Sequence, residues 1–272
     1  MDVAKAKTIV IILLLAFNVF LLVNNLMHYD SQSVSKSMLE NTETILKQRG
    51  VTLECEIPST PGEGYRLVYI AGGLEREGTA QKLLGEGYQK SPDGNVMSQD
   101  GRKIEFDGDT RFIYTDEAAS APKENVSEKE AREAALRFLK DKGLLDGSYV
   151  PDGAAQKDDG SWILDYIESY NGSLLYDNCF TVTVRGKTVT SLVYQKQQIK
   201  GFSSNGIERI EAYQALLARF KEGSDVVITS IDSGYKLDES RMDEMESVEL
   251  LPVWRVKIKG GSEPIYIRSH DG

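Results

Sequence analysis

From Thr8 to Met27 the chain reads TIVIILLLAFNVFLLVNNLM, without a single formal charge. At 1.5 Å per residue a helix of that length spans about 30 Å, the thickness of a bilayer's hydrocarbon core. Lys5 and Lys7 stand immediately before the run and Asp30 just after it. The positive-inside bias therefore keeps residues 1–7 cytoplasmic and exports everything after residue 27. A cleaved signal peptide would need a small-x-small site after its apolar core. Asn24 to Tyr29 are all large, so an uncleaved, single-pass anchor in the cell membrane is the expectation for residues 8–27.

Asn18 is the strongly polar side chain in the middle of that span. In hydrocarbon an amide gains from a hydrogen bond to another helix. Leu14, Asn18, Leu22 and Asn25 lie along one helical stripe, which is the candidate face for a partner helix.

The exported remainder has to form a packed core. The chain is 40% hydrophobic, with 13 tyrosines and 8 phenylalanines, and carries 42 acidic against 32 basic residues, a net charge of -10. That balance lacks the phosphate-neutralising surface that nucleic-acid binding needs. Residues 32–49 place Val34, Met38, Thr42 and Ile45 at helical intervals before Gly50. VTLECEI, YRLVYIA, NVMSQ, RKIEF and TRFIYT follow as short strands, with Asp93-Gly94 and Asp100-Gly101 as turns and a small helix between Gly72 and Gly85. These elements predict a first α+β unit over residues 31–115.

Ser127 and Glu130 have capping-box spacing ahead of a helix whose apolar stripe is Ala131, Ala134, Ala135, Phe138 and Leu139. SWILDYIESY, LLYDNCFTVTV and TVTSLVYQKQQI, joined by turns at Asn171-Gly172 and Arg185-Gly186-Lys187, complete a helix-plus-meander unit over 127–202. The order recurs over 207–272. IERIEAYQALLARFKEG carries Ile210, Tyr213, Leu217 and Phe220 on one face, and VVITSIDSGYKL, VELLPVWRVKIK and EPIYIRS are the strands after it. The expected class is α+β, with amphipathic helices laid on antiparallel sheets and the motif repeated as topology.

No P-loop, dinucleotide fingerprint, nucleophile elbow or zinc-protease helix can be completed from these residues. Asp107-Gly108-Asp109 opens like a calcium loop, but Phe112 stands where the loop needs glycine, so a hairpin turn is expected. His28 and His270 lie at the membrane edge and near the end, away from any nucleophile. Catalytic residues, metal ligands and cofactor sites are therefore expected to be absent, and the chain is expected not to be an enzyme. Cys55 and Cys179 read as unreactive strand thiols, with a disulfide between them left open. Trp162 and Trp254 read as core aromatics, and Trp254 is also a candidate contact of the outer domain with a partner.

Met1-Asp2 and Lys5-Ala6-Lys7-Thr8-Ile9, running into the anchor, together with Leu251-Pro252-Val253-Trp254-Arg255-Val256 and a final tyrosine-containing strand, resemble the YycI (WalI) family of membrane-anchored regulators. The likeness covers the anchor and the last 65 residues. Between 50 and 125 it is only a pattern of strands. The resemblance implies a non-enzymatic accessory protein of the WalK/YycG-like sensor histidine kinase controlling cell-wall metabolism, working beside a YycH-like protein, with outer domains of YycH- or PepSY-like fold. It implies contacts through the anchor helix and the outer domain. The lipid bilayer and, apart from the resemblance, a second copy of the chain are further candidate partners. The rivals are a signal-anchored cell-wall enzyme or ligand-binding protein, and a PepSY-like inhibitor of a surface protease.

Overall fold

The structure, a computed structural model, describes residues 11–21, 35–59, 63–120, 125–237, 247–261 and 263–269. The chain divides into two compact units that interleave along the sequence. Unit 1 takes residues up to Gly64, Ile207–Asp232 and Trp254 onward; unit 2 takes Tyr65–Gly206 and Ser233–Val253. Contiguous boundaries at 115, 127, 202 and 207 therefore do not delimit the units. Strand pairing groups the elements, and it joins segments far apart in sequence.

Residues 11–21 are helical (α1), with exposed side chains. The rest of the predicted anchor lies outside the described residues, as do Lys5, Lys7, Leu22 and Asn25. Among the described residues no helix is long and apolar enough to cross a membrane.

In unit 1, α2 (Lys36–Gln48) precedes β1 (Val51–Leu53), which pairs in parallel with the start of β12 (Val226–Tyr235), Val51 opposite Val226. β14 (Pro252–Ile258) lies between β12 and β15 (Ile265–Arg268). With α5 (Ala212–Arg219) these elements bury Leu46, Val51, Leu216, Phe220, Ile228, Trp254 and Val256. Arg49, just beyond α2, donates from Nη1 to the carbonyls of Leu217 (2.7 Å) and Phe220 (2.8 Å). It thereby satisfies acceptors that the end of α5 leaves open.

Unit 2 is built on an antiparallel run of β7 (Tyr149–Gln156), β8 (Trp162–Tyr170), β9 (Ser173–Arg185), β10 (Thr188–Gln195), β6 (Arg111–Asp116), β5 (Arg102–Asp107), β4 (Val96–Gln99) and β3 (Gln89–Lys90). α3 (Arg76–Leu84) and α4 (Glu128–Asp141) contribute Ala80, Leu83, Ala131, Ala135 and Leu139 to its core. Tyr166 stacks on Phe180 at 4.8 Å and Phe112 on Tyr194 at 5.3 Å. β2 (Glu63–Ile70), flanked by β11 (Gln198–Glu208) and β13 (Ser247–Leu250), forms a separate three-stranded sheet.

The expected class holds as a mixed, sheet-dominated α+β fold, with corrections. The sheets are not purely antiparallel, because β12 pairs in parallel with β1 and, at Gly234 and Tyr235, with β9. β7 was not among the expected strands; it is an edge strand with an irregularity between Pro151 and Gly153, where proline is tolerated. The helix predicted from 207 starts only at Ala212, because residues 207 and 208 finish β11, and it stops where Phe220 turns extended.

One local device occurs in both units. Ser127 caps α4 in a full capping box with Glu130, and the residue before the cap, Val126, accepts the indole N–H of Trp162 through its carbonyl at 2.9 Å. At α5 the cap is Glu211, whose N–H donates to Gln214 Oε1, and the preceding Ile210 carbonyl accepts the indole N–H of Trp254 at 2.8 Å. Both start sites place a buried alanine, Ala131 or Ala215, four residues after the cap.

Candidate functional site

The polar chemistry of unit 2 gathers at a break in strand pairing. Along β8 and β9, Ile167 faces Cys179, yet the next residue, Glu168, faces Leu175. Tyr176, Asp177 and Asn178 are thus extra residues in β9, a bulge that re-aims side chains which alternation would have paired. Asp177 is 1% exposed and Asn178 fully buried. Such groups must find partners inside the fold. Asp177 accepts from Lys236 Nζ and from the Leu237 N–H, each at 2.6 Å. Asn178 Nδ2 donates to Glu168 Oε2 (2.7 Å) and to the Gln197 carbonyl (3.1 Å), while its Oδ1 accepts the Gln197 N–H at 2.7 Å.

The network continues to Lys196, the residue after β10. Its ammonium donates to Asp146 Oδ1 at 2.6 Å and reaches Glu168 Oε1 and the Tyr149 hydroxyl at 3.4 Å. Tyr149 and Tyr194 meet hydroxyl to hydroxyl at 3.4 Å, and burial pushes both phenols well above their ordinary range. Burial, with the negative charges of Asp177 and Glu168 behind it, does the same to Tyr69. Tyr69 Oη is buried without a hydrogen-bond partner among the described residues.

Lys196, Gln197 and Tyr194 also line an open cleft of about 500 Å³. Its other walls are the Gly72–Glu75 loop, Thr79 and Lys82 of α3, and the Gly143–Asp146 segment after α4. The size is that of a small-molecule site. The cleft carries ammonium, carboxylate, amide and hydroxyl groups. Among the described residues no cluster of three or more histidine, cysteine or carboxylate side chains is placed to hold a metal ion.

Of the residues singled out from the sequence, Leu14 and Asn18 are described, and Asn18 Nδ2 donates to the Leu14 carbonyl at 2.9 Å within α1. Trp254 is 1% exposed, its indole N–H is bonded to Ile210, and the Arg209 guanidinium lies 5.4 Å above its ring. The core reading of Trp254 stands and its reading as a surface contact is corrected, because no face of the ring is open to a partner. The bulge residues were not singled out. Their signal was the pair Asp177-Asn178 inside LLYDNCF, which breaks strand alternation at its most apolar point.

Cys55 and Cys179 are free thiols. Burial, reinforced by Asp177, pushes Cys179 up to about 11; burial alone raises Cys55. At pH 8 about one Cys179 thiol in a thousand is ionised, against roughly a quarter of unperturbed cysteine. Iodoacetamide should therefore modify Cys179 roughly a hundredfold more slowly in the native chain than in urea. Mass spectrometry showing equal rates in both conditions would contradict the assignment.

Compared with known proteins, the chain matches the family model described as YycI protein over residues 30–267. No curated protein matches it. Among solved structures, an uncharacterised protein from Eubacterium rectale is similar over 89% of this chain and 98% of its own, with TM-score 0.54 at 11% identity. YycH from Bacillus subtilis is similar over 81% of this chain and 60% of its own, with TM-score 0.56 at 14% identity. At these identities the likeness is one of fold.

Proposed function

Because the chain belongs to the YycI family, we propose that it is a non-catalytic accessory regulator of a WalK/YycG-like membrane sensor histidine kinase controlling cell-wall metabolism, acting beside a YycH-like protein. The observation that carries this reading is the family match across nearly the whole exported part, together with the charge-free run from Thr8 to Met27. In this reading residues 8–27 anchor the chain in the cell membrane, the N-terminus stays cytoplasmic, and both units stand outside. The anchor contacts the kinase's own membrane helices, and the outer units set the geometry.

Such a protein needs no chemistry. A helix that binds one signalling state of the kinase more tightly than another shifts the equilibrium by the difference in binding free energy. The fold-only likeness to YycH suits a pair of related accessory proteins. Asn18 spends one amide N–H on its own helix, and the same amide still carries a second N–H and a carbonyl for a neighbouring helix.

The test is capture in native membranes by a photoreactive group at Leu14 of the full-length protein. A sensor kinase or a related single-pass protein in the cross-linked product supports the reading, and lipid alone overturns it. An interhelical hydrogen bond in a membrane averages about 0.6 kcal/mol. Asn18→Leu should accordingly lower kinase co-purification about threefold, and unchanged recovery would remove Asn18 from the contact.

A further inference from the structure

The cleft of unit 2 carries a charge pattern that the regulatory reading leaves unused. Glu75, Thr79 and Lys82 all line it, and their spacing of four and then three residues puts them on one face of α3. That face offers a carboxylate at one end, a hydroxyl in the middle and an ammonium at the other. Glu75 is the N-cap; one of its oxygens accepts the Gly78 N–H at 2.6 Å, and a carboxylate has a second. Lys82 Nζ has only a long contact, 3.4 Å, to the Gly143 carbonyl, and makes no ion pair among the described residues. The cleft's other two charges, Asp146 and Lys196, neutralise each other at 2.6 Å.

Seven residues set the Cα atoms of Glu75 and Lys82 about 10 Å apart along the helix axis. An extended chain advances about 3.3 Å per residue, so three residues span the same distance. The half-charges of the helix ends oppose a ligand ammonium at Glu75 and a ligand carboxylate at Lys82, but each is outweighed by a full unit charge of the side chain. The lining also includes the exposed Gln198, whose amide suits a peptide group between the two ends.

We propose that this cleft binds a short peptide of about three residues with both termini free, its ammonium at Glu75 and its carboxylate at Lys82. The site does not depend on what the anchor contacts.

Calorimetric titration of the full-length protein in detergent with trialanine, N-acetyl-trialanine and trialanine amide tests it. Trialanine should bind, and blocking either terminus should weaken binding at least about tenfold, the loss of one charge-assisted contact. Lys82→Met should bind trialanine and its amide alike while still rejecting the acetylated peptide. Glu75→Gln, which keeps an oxygen for the Gly78 N–H, should do the converse. Equal binding of all three peptides, no binding of trialanine up to about 10 mM, or variants that keep both discriminations would each overturn the proposal.

Discussion

Trp254→Ala should destabilise unit 1 by about 3–5 kcal/mol, the range for deleting a large buried aromatic. The ring is 1% exposed, in the cluster of Leu216, Ile228 and Val256, so its removal leaves a cavity that strands on either side cannot collapse to fill. The indole N–H also goes, and the Ile210 carbonyl before α5 loses its donor. For a chain of this length each kcal/mol lowers Tm by about 2–4 °C, so a fall of roughly 10 °C is expected. Trp254→Phe should lie between, restoring most of the volume but not the hydrogen bond. The chain has two tryptophans, one in each unit, so fluorescence of the Trp254→Ala variant follows Trp162 in unit 2 alone. Unit 1 then has to be followed by circular dichroism. A fall below about 3 °C in that signal would show that the ring is not a principal support.

Asp177→Ala should cost about 3 kcal/mol. Removing one member of a buried pair commonly costs 3–5 kcal/mol, and here the lysine can turn partly to water because Lys236 is 30% exposed. The Leu237 N–H has no such escape, being at a residue 5% exposed. Its lost acceptor leaves a desolvated donor, the costly half of the change. Asp177→Asn tests the division: it keeps an acceptor for Leu237 and loses the charge facing Lys236, so it should recover more than half of the loss in chemical denaturation. An alanine variant as stable as the parent would mean that the bulge does not depend on Asp177.

Much of this architecture is legible in the sequence because its signals are local. The capping box at Ser127 and Glu130 forms as its spacing demands, and Asp100-Gly101 and Asn171-Gly172 take the left-handed conformations of tight turns. What was not legible depends on partners distant in the chain. No local pattern says that Val51 will lie beside Val226, so parallel pairing escaped a reading built on hairpins. The bulge hides for the same reason, since Asp177 and Asn178 become tolerable only when Lys236, Glu168 and Gln197 arrive to bond them. The repeat was visible as element order alone. Its physical content, a tryptophan clasping the carbonyl before each helix, joins residues 36 apart in one unit and 44 apart in the other. The cleft was missed because α3, Gly143–Asp146 and the end of β10 are separate runs, each unremarkable by itself.

The interleaving of the two units also orders their assembly. The chain passes between units at residues 64/65, 206/207, 232/233 and 253/254, and each passage falls inside a strand. A polypeptide that becomes free to fold in sequence order would therefore expose α2 and β1 early and hold them without β12 until residue 226 had emerged. Unit 1 could not close its core before Trp254 followed. Unit 2 can build its meander sooner, its antiparallel hairpins being pairs of neighbours that pay little loop-closure entropy. A nascent chain arrested within residues 238–246 would then hold the meander while α2 and β1 still lacked their core, which makes the last twenty or so residues the closing step for unit 1.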